Sequence, residues 1–529
     1  MIDTAKLKEK ILDLAIRGKL VPQDPNDEPA SVLLEKIRAE KLQMVKDGKL
    51  KQKDIKDDTV IFVGDDNLHY EKFADGSVKC IEDEIPFEIP KSWAWCRGIT
   101  CFKGMENKVP EGDLFTYIDI ESIDNKEQKI STPKIIHVKS APSRACRKIN
   151  KGCILFSLVR PYLKNIAIVD KDYHNPIASS GFYICNPDTI LHSEYLFYLM
   201  ISTYVVNGLN QFMKGDNSPS INKGHIENWL YPIPPLNEQL NISKKVSCLL
   251  NTINDLNNNK KNLLKSIDSL KSKILDLAIR GKLVPQDPND EPADVLLERI
   301  RKEKEELIKQ GKIKRDKKES IIFKGDDNSY YEKIGEDDYK NIDNILPFNI
   351  PNNWAWCRLG ALIQIINGVS YDKKDVGTGN IRILRGGNIN NLKIEIFDDD
   401  VFLPKEYYDT EKQVQQNDIV IVASTGSKEI IGKPGFITTT IGETMIGAFL
   451  RIIRPISPEI TSYVQLIFSS DYYRNHIRKL VHGNTINNIK TEYITNLIIP
   501  IPPQNEMVKI IHLIKSNMNL INQIEKGLN

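Results

Sequence analysis

The strongest pattern in the chain is an apolar seam within residues 236–283, where the spacing alternates between three and four residues. Such a heptad repeat predicts a coiled-coil helix, and at about 1.5 Å per residue the helix would be a rod of roughly 65–70 Å. A long helix lying on a globular core is the alternative, but the stripe is narrow and Asn, Lys and Ser fill the other positions. The seam consists of Val246, Leu249, Ile253, Leu256, Lys260, Leu263, Ile267, Leu270, Ile274 and Leu277.

Shorter amphipathic helices are predicted at both ends of the chain. Residues 1–20 carry one apolar stripe that ends at Gly18, and a second helix is predicted at about 30–47 with Gly48 as its C-cap. The C-terminal segment, 504–529, repeats the seam pattern. Its seam consists of Met507, Ile510, Ile514, Ile521 and Ile524.

Two long stretches, 85–235 and 346–503, have a different pattern, in which short apolar runs alternate with turn residues. Such runs predict strands of a mixed or antiparallel sheet. Each stretch also contains one longer apolar run that predicts a helix, at 192–212 and at 462–481. The predicted strands are 114–120, 134–138, 153–159, 165–169 and 181–185 in the first stretch and 381–386, 418–424, 434–440 and 447–455 in the second.

The chain holds two copies of one plan. KILDLAIRGKLVPQDPNDEPA at Lys10–Ala30 returns letter for letter at Lys273–Ala293, and PIPPLNEQ at 232–239 matches PIPPQNEM at 500–507. GDDN and WAWCR also occur once in each half. Between WAWCR and PIPP the halves share almost nothing. Near-identical frames therefore carry two divergent inserts.

The register of the repeats predicts a closed frame. In that register the C-terminal helix stops almost where the N-terminal helix begins, so the two terminal pieces together rebuild the central rod. We therefore expect an α+β fold with a pseudo-twofold internal repeat, in which two globular α/β domains in inverted orientation are joined by two long antiparallel coiled-coil helices. The expected domains are frame 1–84, insert 85–235, frame 236–345, insert 346–503 and helix 504–529.

Composition narrows the class of protein. The net charge of +2 shows no basic bias over the whole chain, although a local basic face would suffice to bind nucleic acid. The eight cysteines form no CxxC and have no His cluster beside them, so reduced thiols in a cytoplasmic protein are expected and a metal site is not. No apolar leader and no membrane-length apolar run occurs.

The repeated KILDLAIRGKLVPQDPNDEP, and the PIPPLNEQ and PIPPQNEM junctions leading into helices, resemble the specificity subunit of type I restriction–modification systems. The resemblance implies that each insert is a target recognition domain reading one half of a split double-stranded DNA site. It implies that the frames space these domains and bind two methyltransferase (modification) subunits, which a restriction motor–nuclease subunit joins. S-adenosylmethionine, ATP and Mg²⁺ would act in those partners, and this chain would hold no cofactor.

A non-catalytic role fits the motifs. The chain has no GxxxxGK[ST], no Asn/Asp-Pro-Pro-Tyr/Phe and no HExxH or GxSxG. The repeated Asp24, Asp27 and Glu28 are interpreted as turn and cap residues, and the Trp pairs of WAWCR as packing residues that do not stack on bases. Two alternatives stay open: a fused DNA methyltransferase or endonuclease, and a coiled-coil scaffold that binds no DNA.

Basic and amide side chains in the inserts are the candidate DNA-binding residues. Lys and Arg suit phosphates, Arg also suits guanine, and Asn suits adenine. For any one of them a solvated surface residue is the simpler interpretation, whereas the clusters together favour DNA contact. The candidates are Arg144, Arg147, Lys148, Lys151, Arg160, Lys164, Lys214, Asn217, Ser218, Ser220, Asn222 and Lys223 in the first insert and Lys373, Lys374, Arg382, Arg385, Asn388, Ser424, Thr425, Lys428, Asn484, Thr485, Asn487 and Lys490 in the second.

Overall fold

The computed structural model describes residues 3–48, 52, 55–187, 191–315, 319–335, 338–481 and 487–528. They form two compact units, Met1–Lys260 and Lys261–Asn529. Each unit combines helices with small sheets, as the α+β prediction requires. One long helix, Leu236–Ile279, has residues in both units and ends four residues before the predicted boundary at 283.

The helices of the first unit belong partly to the frame and partly to the insert. They are α1 (Thr4–Ile16), α2 (Ala30–Lys46), α3 (Gly98–Cys101), α4 (Ser193–Ile201), α5 (Thr203–Asn210), α6 (Lys223–Glu227) and the beginning of α7 (Leu236–Ile279). The strands are β1 (Val60–Val63), β2 (His69–Lys72), β3 (Val78–Cys80), β4 (Ala94–Arg97), β5 (Phe102–Lys103), β6 (Leu114–Ile118), β7 (Ile123–Asp124), β8 (Lys129–Ile130), β9 (Lys134–His137), β10 (Ala145–Lys148), β11 (Ile154–Ser157), β12 (Ile166–Ile168), β13 (Pro176–Ser179), β14 (Phe182–Pro187) and β15 (Leu230–Ile233).

The second unit repeats this plan. Its helices are the end of α7, α8 (Ala293–Lys309), α9 (Thr461–Ser469), α10 (Asp471–Leu480), α11 (Thr491–Thr495) and α12 (Gln504–Leu528). The strands are β16 (Ser320–Lys324), β17 (Tyr330–Ile334), β18 (Asp338–Asn341), β19 (Ala355–Arg358), β20 (Ile363–Asn367), β21 (Ile381–Leu384), β22 (Ile389–Asn390), β23 (Leu392–Ile394), β24 (Val401–Leu403), β25 (Ile419–Val422), β26 (Ser424–Thr425), β27 (Pro434–Phe436), β28 (Thr444–Ile446), β29 (Leu450–Pro455), β30 (Asn487–Asn488) and β31 (Ile498–Ile501).

The insert sheets are mixed, and every predicted strand is present. In the first unit the order β10-β13-β6-β9 contains one parallel pair, β13 with β6, and β12-β11-β14-β5 is antiparallel. In the second unit six strands lie in the order β20-β29-β25-β27-β23-β22, and three in the order β24-β21-β28. Of the strands in these sheets, β5, β10, β13, β20, β22, β23, β24 and β28 were not predicted.

Both predicted insert helices are broken in two by a serine. Ser202 separates α4 from α5 and is in extended conformation, and its hydroxyl accepts a hydrogen bond from the Val205 amide. Ser470 separates α9 from α10 in the same way, with the Tyr473 amide as donor. A buried serine that caps the following helix supplies its own partner for a free amide, so an apolar run alone does not reveal the break.

Two-stranded ribbons close each insert at its base. Strand β4 pairs antiparallel with β15, so that Trp95 lies opposite Pro232, and β19 pairs with β31, so that Trp356 lies opposite Pro500. The repeated WAWCR and PIPP motifs are therefore neighbours in each unit. They bring the beginning and the end of the insert together beside the frame.

The coiled-coil prediction is confirmed within each unit. In the first unit α1 runs antiparallel to α7, since Thr4 contacts Asn257 and Lys8 contacts Asn254. In the second, α12 lies beside the end of α7, where the Lys271 ammonium is 2.6 Å from Glu525. The central helix thus pairs with a different terminal helix in each unit.

The seam is only half buried. Every seventh residue from Val246 is buried except Lys260, whereas Leu256, Leu263 and Leu270 are 49%, 44% and 49% exposed. On α12 the predicted seam residue Ile524 is also 53% exposed, while Ile521 is buried. A single partner helix covers one line of the seam, so the second line faces solvent.

Candidate nucleic-acid interface

A buried carboxylate anchors the first insert to its frame. The two Glu238 oxygens accept hydrogen bonds from Gln23 Nε2 at 2.8 Å and Trp93 Nε1 at 2.9 Å. The neighbouring Asn237 donates to the Asp27 carboxylate at 2.8 Å. Burial raises the pKa of the Glu238 carboxyl, and the two donors oppose that shift. We call Gln23, Trp93 and Glu238 the first anchor.

The second unit builds the same anchor from the repeated residues. Glu506 accepts from Gln286 Nε2 at 2.8 Å and from Trp354 Nε1 at 2.9 Å. Asn505 donates to Asp290 at 3.0 Å. The two repeated motifs, PQDPND and PIPPxNE, are therefore in direct contact in each unit.

The anchors revise one sequence interpretation and agree with another. Asp24 does accept from the Asn26 amide in a turn, but Asp27 binds the side chain of Asn237, so its role is to hold two distant segments together. All four tryptophans of the repeated motif are at most 6% exposed, as the packing interpretation predicts. Their indoles are not available to stack on bases.

Two segments of the first insert that carry candidate residues pair with each other. Val159 forms a β-bridge with Ser220, and the Ile221 amide donates to the Leu158 carbonyl at 2.9 Å. The Arg160 guanidinium donates to the Asn217 carbonyl at 2.7 Å. We call residues 158–164 and 214–222 the first loop pair. Candidates separated by some fifty positions are thus brought to one place.

The turn within the first loop pair has an unusual backbone. Arg160 and Lys164 have φ of 47° and 54°, the left-handed region that side chains other than glycine rarely adopt. Between them Tyr162 and Leu163 are 45% and 39% exposed. Such conformations cost energy and concentrate at functional sites, because the surrounding contacts must hold them.

The second insert has an equivalent but different loop pair, residues 423–429 and 487–490. Strands β26 and β30 pair here, and the Ile489 amide donates to the Ala423 carbonyl at 2.8 Å. The Arg474 guanidinium of α10 holds the end of the first segment by donating a hydrogen bond to the Glu429 carbonyl at 2.6 Å. The backbone pairing between the two segments is therefore the same as in the first loop pair, whereas the side chains differ.

The structure exposes most of the first insert's candidates. Arg147 is half-buried and donates to Asn107 at 2.8 Å, Lys148 pairs with Glu106 at 2.6 Å, and the Asn222 side chain caps α6. These three are committed to contacts inside the unit. Of the remainder, Lys164 and Ser220 are half-buried and the following are exposed: Arg144, Lys151, Arg160, Lys214, Asn217, Ser218 and Lys223.

Two candidates of the second insert are held by contacts inside the insert. Asn388 is 2% exposed, and its amide donates to Asp400 and Glu395 while its oxygen accepts from the Arg385 amide. Arg382 forms an ion pair with Asp400 at 3.2 Å and lies over the Phe402 ring. Both therefore hold a strand end in place.

The other candidates of the second insert fall into three groups. Asn487 is 1% exposed, and Ser424 and Thr425 are half-buried in β26. Asn484 and Thr485 lie outside the described residues. Exposed are Lys373, Lys374, Arg385, Lys428 and Lys490.

Sequence reasoning missed the anchor glutamates and the exposed apolar residues in or beside the loop pairs. Glu238 and Glu506 follow PIPP in both copies, so the repeat itself carried the signal. Leu163 and Ile430, the latter 42% exposed, had no sequence signal that set them apart from core residues. No helix within the described ranges is long and apolar enough to cross a membrane.

Comparisons with known proteins find specificity subunits of type I restriction enzymes. The family model for the type I restriction modification DNA specificity domain matches residues 102–266. The chain is 28% identical to the EcoAI specificity subunit and 27% identical to the EcoEI specificity subunit, both of Escherichia coli. These matches cover 98% and 99% of this chain and 90% of each relative. The crystal structure of the HsdS subunit from Thermoanaerobacter tengcongensis has a TM-score of 0.52 at 21% identity, with 84% of this chain and 94% of that chain covered, which shows the fold.

Proposed function

The chain belongs to the family of type I restriction–modification specificity subunits, and on that premise we propose that its two loop pairs read the two halves of a bipartite DNA target. The chain supplies sequence specificity to methyltransferase subunits and, with them, to a restriction motor–nuclease. S-adenosylmethionine, ATP and Mg²⁺ act in those partners, and no residue of this chain is assigned to them.

One observation carries the proposal. The two anchors have the same hydrogen bonds at the same distances, whereas the loop pairs that the inserts present have different side chains. A subunit that must read two unlike half-sites needs identical attachment and unlike reading surfaces. A duplicated adhesion or catalytic domain would have no reason to diverge in the insert alone.

Each loop pair has the chemistry for reading double-stranded DNA. Lys214 and Lys428 are exposed cations suited to phosphates, which fix the register of the protein on the duplex. Arg160 suits guanine, and the exposed Tyr162 offers apolar contact to a base edge. The β-bridges hold these side chains on backbone that is already ordered, so less entropy is lost on binding.

The frame helices serve as the spacer. Helix α7 is continuous over 44 residues, which corresponds to roughly 66 Å. It carries the anchor residue Glu238 at its first turn, so the rod is joined directly to the first insert. We assign the separation of the half-sites to this helix and its two antiparallel partners.

The spacer is tested by removing one heptad, Ser266–Ser272, from α7. Because the C-terminal end of α12 lies beside this part of the helix, residues 522–528 are removed with it, which shortens both helices by the same length. The gap between the half-sites should shorten while both half-site sequences stay unchanged. Methylated positions mapped in DNA from cells that express the chain with its modification subunit give the answer. A change in half-site sequence would contradict the spacer role.

A further inference from the structure

The second unit contains an open cavity of about 780 Å³ at the base of its insert. The cavity lies between the last turns of α7, helix α10 and the ribbon strand β31. Neither the anchor of this unit nor its loop pair lines it. Small-molecule sites in proteins have volumes of about 300–1,000 Å³, so the cavity has the size of a ligand site that the reading of DNA does not use.

The charged side chains that line the cavity are mainly basic, and we call it the basic cavity. The Arg280 guanidinium is already paired with Asp276 at 2.7 Å. The Lys479 ammonium, by contrast, forms no ion pair with any residue that the structure describes. An anion in the basic cavity would therefore meet a cation that has no other partner. The permanent cations of the lining are Lys273, Arg280, Arg358 and Lys479, and its carboxylates are Asp276 and Asp471.

The rest of the lining suits the organic part of a ligand. Phe348 and Tyr472 pack edge to face with their ring centroids 5.9 Å apart. His476 is half-buried, and burial lowers the pKa of its imidazole, which is therefore neutral at neutral pH. Its Nε2 donates to the Tyr493 carbonyl at 2.9 Å, so the neutral ring keeps an acceptor at Nδ1. The basic cavity thus combines aromatic surface and a hydrogen-bond acceptor with its cations.

The equivalent cavity of the first unit is only about 280 Å³, and the Trp229 ring lines it. Trp229 packs directly against Gly208, where a Cβ atom would lie 2.2 Å from the ring, so no larger residue fits at position 208. The register of the PIPP motifs places Leu497 and His476 at these two positions of the second unit. The smaller side chain of Leu497 leaves the space open, and His476 faces a cavity where Gly208 meets a ring.

The charge of the lining differs between the units together with the volume. In the first unit Glu84 lines the smaller cavity and pairs with the Arg97 guanidinium at 2.6 Å. The registers of the WAWCR and PIPP motifs place Ile345 at the position of Glu84 and Lys479 at the position of Gln211. The second unit therefore has one carboxylate fewer and one cation more at the same place. A larger volume and a more positive lining both favour an anionic ligand.

We propose that the basic cavity binds one small phosphomonoester of mononucleotide size. Such a group carries about 1.5–2 negative charges at neutral pH, which matches the excess of four permanent cations over two carboxylates in the lining. Lys273 and Lys479 suit the phosphate, and the rings of Phe348 and Tyr472 suit the apolar part of the ligand. A DNA duplex is too wide to enter a cavity of this size, so the ligand is a free molecule. The proposal does not rest on the proposed function.

The test is a calorimetric titration of the full chain with adenosine monophosphate. One molecule should bind per chain, and adenosine, which lacks the phosphate, should bind at least tenfold more weakly. K479Q and I345E each introduce the first unit's residue and should each weaken binding of the monophosphate at least fivefold. Ile345 is 52% exposed, so the fold tolerates the change. Q211K is the matched control, since it adds a cation where Trp229 lines a small cavity, and it should create no second site.

Several results would overturn the phosphomonoester site. They are equal affinity for adenosine and its monophosphate, no binding of the monophosphate at millimolar concentration, and unchanged binding by K479Q and I345E with thermal unfolding as in the wild type. Two molecules bound per chain would also contradict it, because only the second unit has the larger cavity. A DNA duplex that displaces the monophosphate from the wild-type chain, but not from the site when inorganic phosphate fills it, would assign the lysines to a backbone phosphate and exclude the free ligand.

Discussion

The two anchors are nearly identical in the two units, whereas the two loop pairs differ in their side chains. The Trp93–Glu238 and Trp354–Glu506 bonds are both 2.9 Å, and the glutamine bonds are both 2.8 Å. The loop pairs share a backbone connection, yet one displays a left-handed Arg-Pro-Tyr-Leu-Lys turn and the other a Ser-Thr strand. The difference separates attachment from recognition.

Because attachment and recognition use different residues, each insert could be exchanged without changing the frame. An insert begins and ends in a ribbon whose two strands are fixed by the anchor and by Arg97 or Arg358. Nη1 of Arg97 donates to the Asn228 carbonyl at 2.8 Å, and Nη1 of Arg358 donates to the Asn496 carbonyl at 2.6 Å. Residues beyond the ribbon are free to differ without loss of the frame.

The largest effect is expected from breaking the anchor. Replacing Glu238 by Ala leaves Trp93 Nε1 and the Gln23 amide without their buried acceptor, and should lower the free energy of unfolding by about 2–4 kcal/mol. E506A should cost the same amount, because its contacts have the same geometry. Urea denaturation of each variant measures both values.

An exposed position on the same helix serves as the control for the anchor. K245A should stay within about 0.5 kcal/mol of the wild type, since Lys245 lies on the solvent side of α7. Costs for E238A and E506A that differ by more than about 1.5 kcal/mol would show that the two attachments are not equivalent.

A smaller effect is expected from the loop pairs, and there the two units should respond separately. R160A should reduce discrimination at the first half-site by roughly tenfold, about 1–2 kcal/mol, while the penalty for altering the second half-site stays unchanged. K428A removes a cation suited to phosphates, so it should weaken binding of the complex without changing the penalty at either half-site. Binding of the assembled complex to duplexes altered in one half-site at a time measures both effects. Equal loss of discrimination at both half-sites in R160A would break the assignment of one loop pair to one half-site.

The sequence predicted the helices and strands that are marked by a regular spacing of apolar residues. The α7 seam, the terminal helices that pair with it and all nine strands followed from the spacing of apolar residues. The helix breaks did not, because the short polar steps Ser202-Thr203 and Ser469-Ser470-Asp471 interrupt the apolar runs without a Gly or Pro to mark them. The exposed Leu256 and Ile524 also escaped, since periodicity shows that a stripe exists and does not show how many helices cover it.

The site was predictable to a lesser degree. Basic residues in loops marked the loop pairs, but Asn388 and Arg382 have the same residue types and are held by the carboxylate of Asp400 inside the insert. Residue type indicates which chemistry is possible, whereas burial decides whether it is available. The anchor needed two motifs more than two hundred residues apart to be recognised as partners, and only the fold brings them together.

The most direct test replaces the first insert by a second copy of the other insert. Residues 98–229, which lie between the ribbon strands of the first insert, are replaced by 359–497, and the methylated positions are mapped in DNA from cells that express the chimera with the modification subunit. The account predicts a new target that contains the second half-site twice. An unchanged target, or loss of all methylation by a chimera that folds and still binds the modification subunit, would contradict it.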